Sequence, residues 1–166
     1  AIVLAPEIAL ASQLVRRVAA RFPADTVILH SSLKPAERWD TWHAIASGDR
    51  RVVVGPRSAL FAPLDDIGLI VLDEEHEPAY KQPRYHARSV AECVAREHGA
   101  LLVLGSATPS IESVWRARNG EIREERLTPR VNPVTGGESG DVLELPRVEI
   151  VDLRLELHRG NTSLLS

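Results

Sequence analysis

The strongest constraint in this sequence is a repeated switch between short apolar runs and segments of helical period. The runs are Ala1–Ala5, Thr26–Leu29, Arg51–Val54, Ile67–Leu72 and Leu101–Leu104. Unbroken apolar runs of this length belong to strands covered on both faces. Between the first two runs, Leu14, Val15, Val18 and Phe22 share one helical face, and Pro23 closes it. Ser31 and Ser32 are candidate caps for a helix with Pro35 in its first turn; Trp39, Trp42 and Ile45 are its expected apolar face and Gly48 its end. Ala87–His98 is predicted as a helix with Val90, Ala91, Val94 and Ala95 inward. The last helix is expected to start with Thr108 as N-cap and Pro109 at its first position, turn Ile111, Val114 and Trp115 inward, and stop at Asn119-Gly120. Strand alternating with helix predicts an α/β fold, a mostly parallel sheet with helices on both faces. The pattern fails over 128–146, "TPRVNPVTGGESGDVLELP", which is expected to be a flexible loop. Residues 147–166 are expected to hold one more strand, Val148–Leu153, leading towards another domain.

Length and composition fit one domain. The chain has 166 residues, 44% of them hydrophobic, enough apolar content to build a core. One cysteine, Cys93, excludes an internal disulfide and a multi-cysteine zinc site within the chain. No apolar run approaches the length of a membrane span. A net charge of −3 argues against a broadly basic nucleic-acid binder, so any such surface must be local. The chain starts inside an apolar run without a methionine and ends without a closing element, so it is expected to be a piece of a longer protein.

Open parallel sheets collect ligands at the carboxyl ends of their strands. Those ends carry Pro6-Glu7, His30-Ser31-Ser32, Gly55-Pro56-Arg57-Ser58, Asp73-Glu74-Glu75-His76 and Gly105-Ser106-Ala107-Thr108. Phosphoryl transfer to water needs a cation to neutralise phosphate charge and a group to orient the water. Asp73 at a strand tip can hold Mg²⁺, and Glu74, pointing elsewhere, can face the water. Acids at a strand end are also common as plain solvated loop residues. His76 can bond the next loop or be an ordinary loop histidine. Ser106 and Thr108 can reach across to His76 or to an acid, although Thr108-Pro109 is also a good helix start. No zinc-type spacing links His76 and His86. Ala79–Arg88 holds Tyr80, Lys81, Arg84, Tyr85, His86 and Arg88 and no acid. Charge mixed with rings suits single-stranded nucleic acid; a solvated turn with its tyrosines packed on the next helix has the same composition. Arg57 and Ser58 offer a guanidinium and a hydroxyl to a phosphate, or form a capped helical turn. A phosphate-cradling P-loop reads G-x-x-x-x-G-K-[ST]. Lys34 and Lys81 are the only lysines and neither follows a glycine, so this chain has no P-loop.

The strings "APEIAL", "LHSSL", "VVVGPRSALFAPL", "GLIVLDEEHEPAYKQPRYHAR" and "LVLGSATPSIESV", in that order, resemble the primosomal replication-restart (PriA) helicases, a branch of superfamily 2. The resemblance runs from Ala1 to about Arg118. It implies a RecA-like three-layer fold, with residues 1–127 as part of the first helicase lobe. It also implies Asp73 as the Mg²⁺ ligand, Glu74 as the residue activating water, and His76 coupled to Ser106 and Thr108. Tyr80, Lys81, Tyr85, His86 and Arg88 would form an aromatic-rich loop linking DNA binding to hydrolysis; Glu7-Ile8, Arg57 and Ser58 would lie near single-stranded DNA. Pro56 stands where the family more often has threonine. The implied ligands are ATP and Mg²⁺. The phosphate loop would lie upstream, and the second lobe, with its arginine finger and zinc-binding cysteines, downstream. Implied partners are forked and single-stranded DNA, other primosome proteins and single-strand-binding protein, in a bacterial, nucleoid-associated cytoplasmic setting without a membrane. The chain alone is then expected to hydrolyse no ATP. The rival expectations are a non-catalytic DNA-binding or scaffold domain of a restart protein, and an unrelated Mg²⁺ phosphohydrolase.

Overall fold

The structure, a computed structural model, describes residues 1–6, 13–82 and 85–127. Glu7, Ile8, Arg84, the 128–146 segment and the strand expected at Val148–Leu153 lie outside the described residues. Ala1–Ile122 forms one compact unit, and a second begins at Arg123.

The five apolar runs become five parallel strands: β1 (Ile2–Leu4), β2 (Thr26–Ile28), β3 (Val52–Gly55), β4 (Leu69–Leu72) and β7 (Leu101–Leu104). A two-stranded antiparallel ribbon, β5 (Lys81–Gln82) and β6 (Tyr85–His86), stands apart from them. The main sheet runs β2-β3-β1-β4-β7. In register, Leu4 is flanked by Gly55 and Leu72, and Leu72 by Leu104. From β1 the chain runs to the edge strand β2, returns inward to β3, and then jumps across β1 to β4. The strand tips on either side of β1 therefore face one crevice, where such sheets bind ligands.

Alternation along the strands splits the core into two layers. Ile2, Leu4, Val53, Ile70 and Leu72 pack with Ile45 of α2 (Pro35–Ala46) and Ala87, Ala91 and Ala95 of α3 (Ala87–His98). On the other face, Val3 and Val54 pack with Val15 of α1 (Gln13–Arg21). This is the expected three-layer α/β arrangement. α3 has the predicted bounds: His86 caps it by accepting the Arg88 N–H, and Gly99 ends it in the left-handed region at φ 62°.

Two helices depart from expectation. In α2 only Ile45 is buried; Trp39 and Trp42 are 65% and 43% exposed. Its start is held by the Glu37 carboxylate, which accepts the Lys34 N–H at 2.8 Å, and not by Ser31 or Ser32. The last helix, α4 (Ile111–Arg118), begins two residues later than predicted, because Ser110 is its cap. Ser113 is its buried residue, whereas Ile111 and Trp115 are exposed. Helical period identified an apolar stripe in both cases, but apart from Ile45 its residues are not part of the packed core among the described residues.

Gly55, at the tip of β3, is a close-approach position. A Cβ there would sit 3.0 Å from both the Cβ and the carbonyl oxygen of Leu29, and 3.2 Å from the Ala59 Cβ. Gly55→Ala is therefore expected to destabilise the fold by about 1–3 kcal/mol, the cost of overpacking. Denaturant titration reads this directly; an unchanged midpoint would mean that β2 yields freely.

Candidate active site

The turn after β4 is fixed from both sides. Asp73 N–H donates to the Leu4 carbonyl at 3.0 Å, extending the β1–β4 ladder. Gly105 N–H donates to Leu72 O, and Glu75 N–H to Gly105 O, both at 2.9 Å. Between these anchors Glu74 adopts φ 51°, and it is the only non-glycine residue with positive φ among those described. A bulky residue in the left-handed region costs on the order of 1–2 kcal/mol and persists only where its neighbours over-determine it. Beyond the kink the Glu74 and His76 side chains approach each other, while Glu75 turns into the interior.

The Asp73 carboxylate lies beside Gly105, with Oδ1 3.4 Å from where a Cβ on that glycine would stand. Glu74 is half-exposed, its Oε2 3.6 Å from His76 Nδ1. His76 Nδ1 lies 2.7 Å from Ser106 Oγ, and Nε2 lies 3.2 Å from Thr108 Oγ1. Ser106 Oγ also accepts the Thr108 N–H at 3.0 Å. Both hydroxyls of the segment after β7 therefore grip one imidazole. The competition between bridging and capping is resolved by Ser110, which caps α4 and leaves Thr108 free for His76.

Glu75 is 2% exposed. Its Oε1 accepts the Ser110 N–H at 2.6 Å, its Oε2 accepts the Ser110 hydroxyl at 3.1 Å, and Arg88 Nη1 is 3.6 Å away. Burial pushes its carboxyl up, but the Ser110 N–H, the Ser110 and Ser113 hydroxyls and Arg88 together outweigh it. The net result holds Glu75 below the usual carboxylate range. Arg88 also donates from Nη1 to Ser113 Oγ at 2.8 Å and from Nε to Glu92 at 3.1 Å; Arg116 pairs with the same Glu92 oxygen. Arg88, expected at a DNA surface, is 8% exposed and bonded to carboxylates and hydroxyls inside the unit. A guanidinium enclosed in this way cannot reach a DNA phosphate.

Tyr80, expected in the same DNA-binding loop, is also enclosed. It is 1% exposed, and its hydroxyl donates to the Asp73 carbonyl at 3.0 Å. Burial pushes the phenol up, and the carboxylates of Asp73, Glu77 and Glu74 add to the shift, so it stays a donor. It cannot stack on a base, but it ties the ribbon to the acid turn. In the ribbon Lys81 pairs with His86 and Gln82 with Tyr85. His86 is the α3 cap. Arg57 opens a 3₁₀ turn, Arg57–Phe61, and its guanidinium lies 4.8 Å from the centre of the Tyr85 ring. Phe61 meets the same ring edge-on at 5.4 Å and is 53% exposed. Ser58 is exposed beside them. The structure thus brings Arg57, Ser58 and Tyr85 together and adds Phe61, which local sequence gave no reason to separate from buried Ala59 and Leu60.

With that geometry in place, the relatives are informative. The DEAD/DEAH box helicase family matches residues 1–116. The chain belongs to that family. Similar proteins include the Replication restart protein PriA of Bacillus subtilis, 45% identical across the whole chain; of Synechocystis sp., 43% identical across 99% of it; and of Chlamydia pneumoniae, 40% identical across 99%. The chain spans 20–21% of the length of these relatives. In a DEAD/DEAH box helicase lobe, the strand-tip acids are the place to test for a cation. Among the described residues no three His, Cys, Asp or Glu side chains converge as a metal cage. Mg²⁺ does not need one, because it is commonly held by one or two carboxylates together with phosphate oxygens and water. The Asp73 carboxylate has no protein hydrogen bond or ion pair among the described residues, so it fits such a share. No helix among the described residues is long and apolar enough to cross a membrane.

Proposed function

We propose that this chain is part of the motor of an ATP-dependent DNA helicase of replication restart, coupling ATP hydrolysis to movement on single-stranded DNA. The observation that carries this is the strand-tip cluster: a free Asp73, a strained Glu74, and His76 held by Ser106 and Thr108. When bound with ATP, Mg²⁺ supplies charge neutralisation at the phosphates. Asp73 would hold it. Glu74 would orient the attacking water and take its proton. His76 would report the state of the nucleotide to the segment after β7. Arg57, Ser58, Tyr85, Lys81 and His86 would follow single-stranded DNA, with Phe61 as the exposed ring for a base. Tyr80 would couple that strip to the acids through Asp73 O. The phosphate loop, arginine finger and zinc-binding cysteines belong elsewhere in the parent protein, which would work in the bacterial cytoplasm on forked DNA with primosome proteins and single-strand-binding protein.

The test is ATP hydrolysis by the parent protein with and without single-stranded DNA. A Mg²⁺-dependent rate that rises with DNA is expected; the 166-residue chain alone is expected to show none. A parent with no ATP turnover and no G-x-x-x-x-G-K-[ST] upstream would favour a non-catalytic DNA-binding or scaffold domain. Phe61→Ala is expected to weaken single-stranded DNA binding by about 1–3 kcal/mol, the worth of one stacked ring. Fluorescence anisotropy of a labelled oligonucleotide measures it; unchanged affinity removes Phe61 from the DNA path.

A further inference from the structure

The DEEH turn contains three acids, and the proposed motor gives work to two. Glu75 cannot be a third hydrolytic acid. It is 2% exposed, and both of its oxygens are occupied. What it does instead follows from its two attachment points. Its backbone N–H donates to Gly105 O at 2.9 Å, and its carboxylate accepts the Ser110 N–H at 2.6 Å. One residue therefore pins both ends of the arch 105–110. Ser106 and Thr108, the two hydroxyls that grip His76, lie between those ends. Arg88 closes the clamp from the first turn of α3: its Nη1 lies 3.6 Å from Glu75 Oε2, 3.4 Å from Ser110 Oγ and 2.8 Å from Ser113 Oγ. Arg88 follows β6 by two residues, so the clamp begins where the ribbon ends.

We propose that Glu75 and Arg88 form a buried latch that positions the 105–110 arch so that Ser106 and Thr108 reach His76. Glu75 is a positioning residue, acting on hydrolysis only through His76; this second clause rests on the motor function proposed above. A carboxylate is needed because the arch end presents an N–H and a hydroxyl together with a guanidinium, all donors. Glutamine keeps the shape but loses the charge that faces Arg88.

The test uses the full-length parent protein, with Glu75→Gln measured alone and in a His76→Ala background. Glu75→Gln is expected to lower DNA-stimulated kcat by roughly 10–100-fold, the cost of a small misplacement, with KM for ATP unchanged. In the His76→Ala background it is expected to add no further loss. Equal losses in the two backgrounds, or a raised KM with kcat unchanged, overturn the role in hydrolysis. Hydrogen–deuterium exchange reads the latch without any activity: Glu75→Gln should speed exchange at amides 106–110 and leave β1 and β4 protected. Unchanged exchange over 106–110 overturns the latch itself. A wild-type parent that hydrolyses no ATP would sink the motor proposal, and the exchange result would still decide the latch. Should Glu75→Gln fail to fold, Ser110→Ala keeps the N–H bond to Glu75, loses the hydroxyl contacts together with the α4 cap, and should speed exchange over 106–110 beyond what it does in α4.

Discussion

Glu74→Gln in the full-length parent protein is expected to lower ATP turnover by about 10²–10⁴-fold, the usual contribution of a positioned general base. Nucleotide and DNA binding should persist. The amide matches the carboxylate in shape, so the turn can keep its geometry, but it cannot take a proton from water. Among the described residues the carboxylate makes one ion pair, with His76 Nδ1 at 3.6 Å, and both partners are partly exposed. Exposed pairs of this kind contribute little to stability. The melting temperature should therefore stay within a degree or two of wild type by the usual scale of surface substitutions. Single-turnover hydrolysis, together with equilibrium binding of a labelled nucleotide, separates the two effects. A variant that retains near-normal turnover would move the base to another residue; loss of nucleotide binding in step with turnover would mean that Glu74 acts on the ground state.

Strand existence and order of function along the chain were legible because buried parallel strands are apolar at every position and their tips are not. β1, β3 and β4 read that way, β7 is equally apolar although Leu101 and Val103 are exposed, and the acids and small hydroxyls stood where those strands stop. The grip of Ser106 and Thr108 on His76 was visible as a possibility, because both residues sit at the neighbouring tip. Three things were not visible. The first was which hydroxyl caps α4: Ser110 was hidden behind a stronger local signal, Thr108-Pro109, and tertiary contact with Glu75 decided it. The second was the fate of charge and rings in "AYKQPRYHAR". Composition cannot tell a solvated arginine from one buried against Glu75, nor a stacking tyrosine from one enclosed under the acid turn. The third was Phe61, exposed one residue after buried Leu60, because a 3₁₀ turn rotates each successive side chain by about a third of a circle. In the first two cases the missing information was long-range, as the 35-residue separation between Glu75 and Ser110 illustrates; in the third it was a local turn type.

Glu75→Leu is expected to be the most destabilising single change near the site, at about 3–5 kcal/mol, because it breaks a buried ion pair and leaves the Arg88 guanidinium with Glu92 as its remaining carboxylate among the described residues. The mechanism makes a further demand. If the weakened pairing of Arg88 is the cause, removing its charge as well must help. Glu75→Leu with Arg88→Met takes out both charges at similar volume, and such replacements are often neutral or better. Here some loss remains, because the Ser110 N–H, bonded at 2.6 Å to Glu75, is left without an acceptor. That residue amounts to about 1–3 kcal/mol. The double variant should thus be more stable than Glu75→Leu alone, measured by denaturant titration with hydrogen exchange over α3 and α4. Additive losses from the two substitutions would mean that they do not act as a pair. Acidity offers an independent check. Glu75 and Glu92 both titrate below the ordinary value of 4.5 in the folded chain, Glu92 because its bonds to Arg116 and Arg88 outweigh the upward push of burial. Between that lower folded value and the ordinary one, the unfolded chain binds more protons than the folded chain. Their stabilisation is therefore complete above the ordinary value and is lost as the pH falls through the depressed one. Wild type should lose stability steeply as the pH drops below 4.5. The double variant, with Glu75 gone and Glu92 deprived of Arg88, should lose less over the same window.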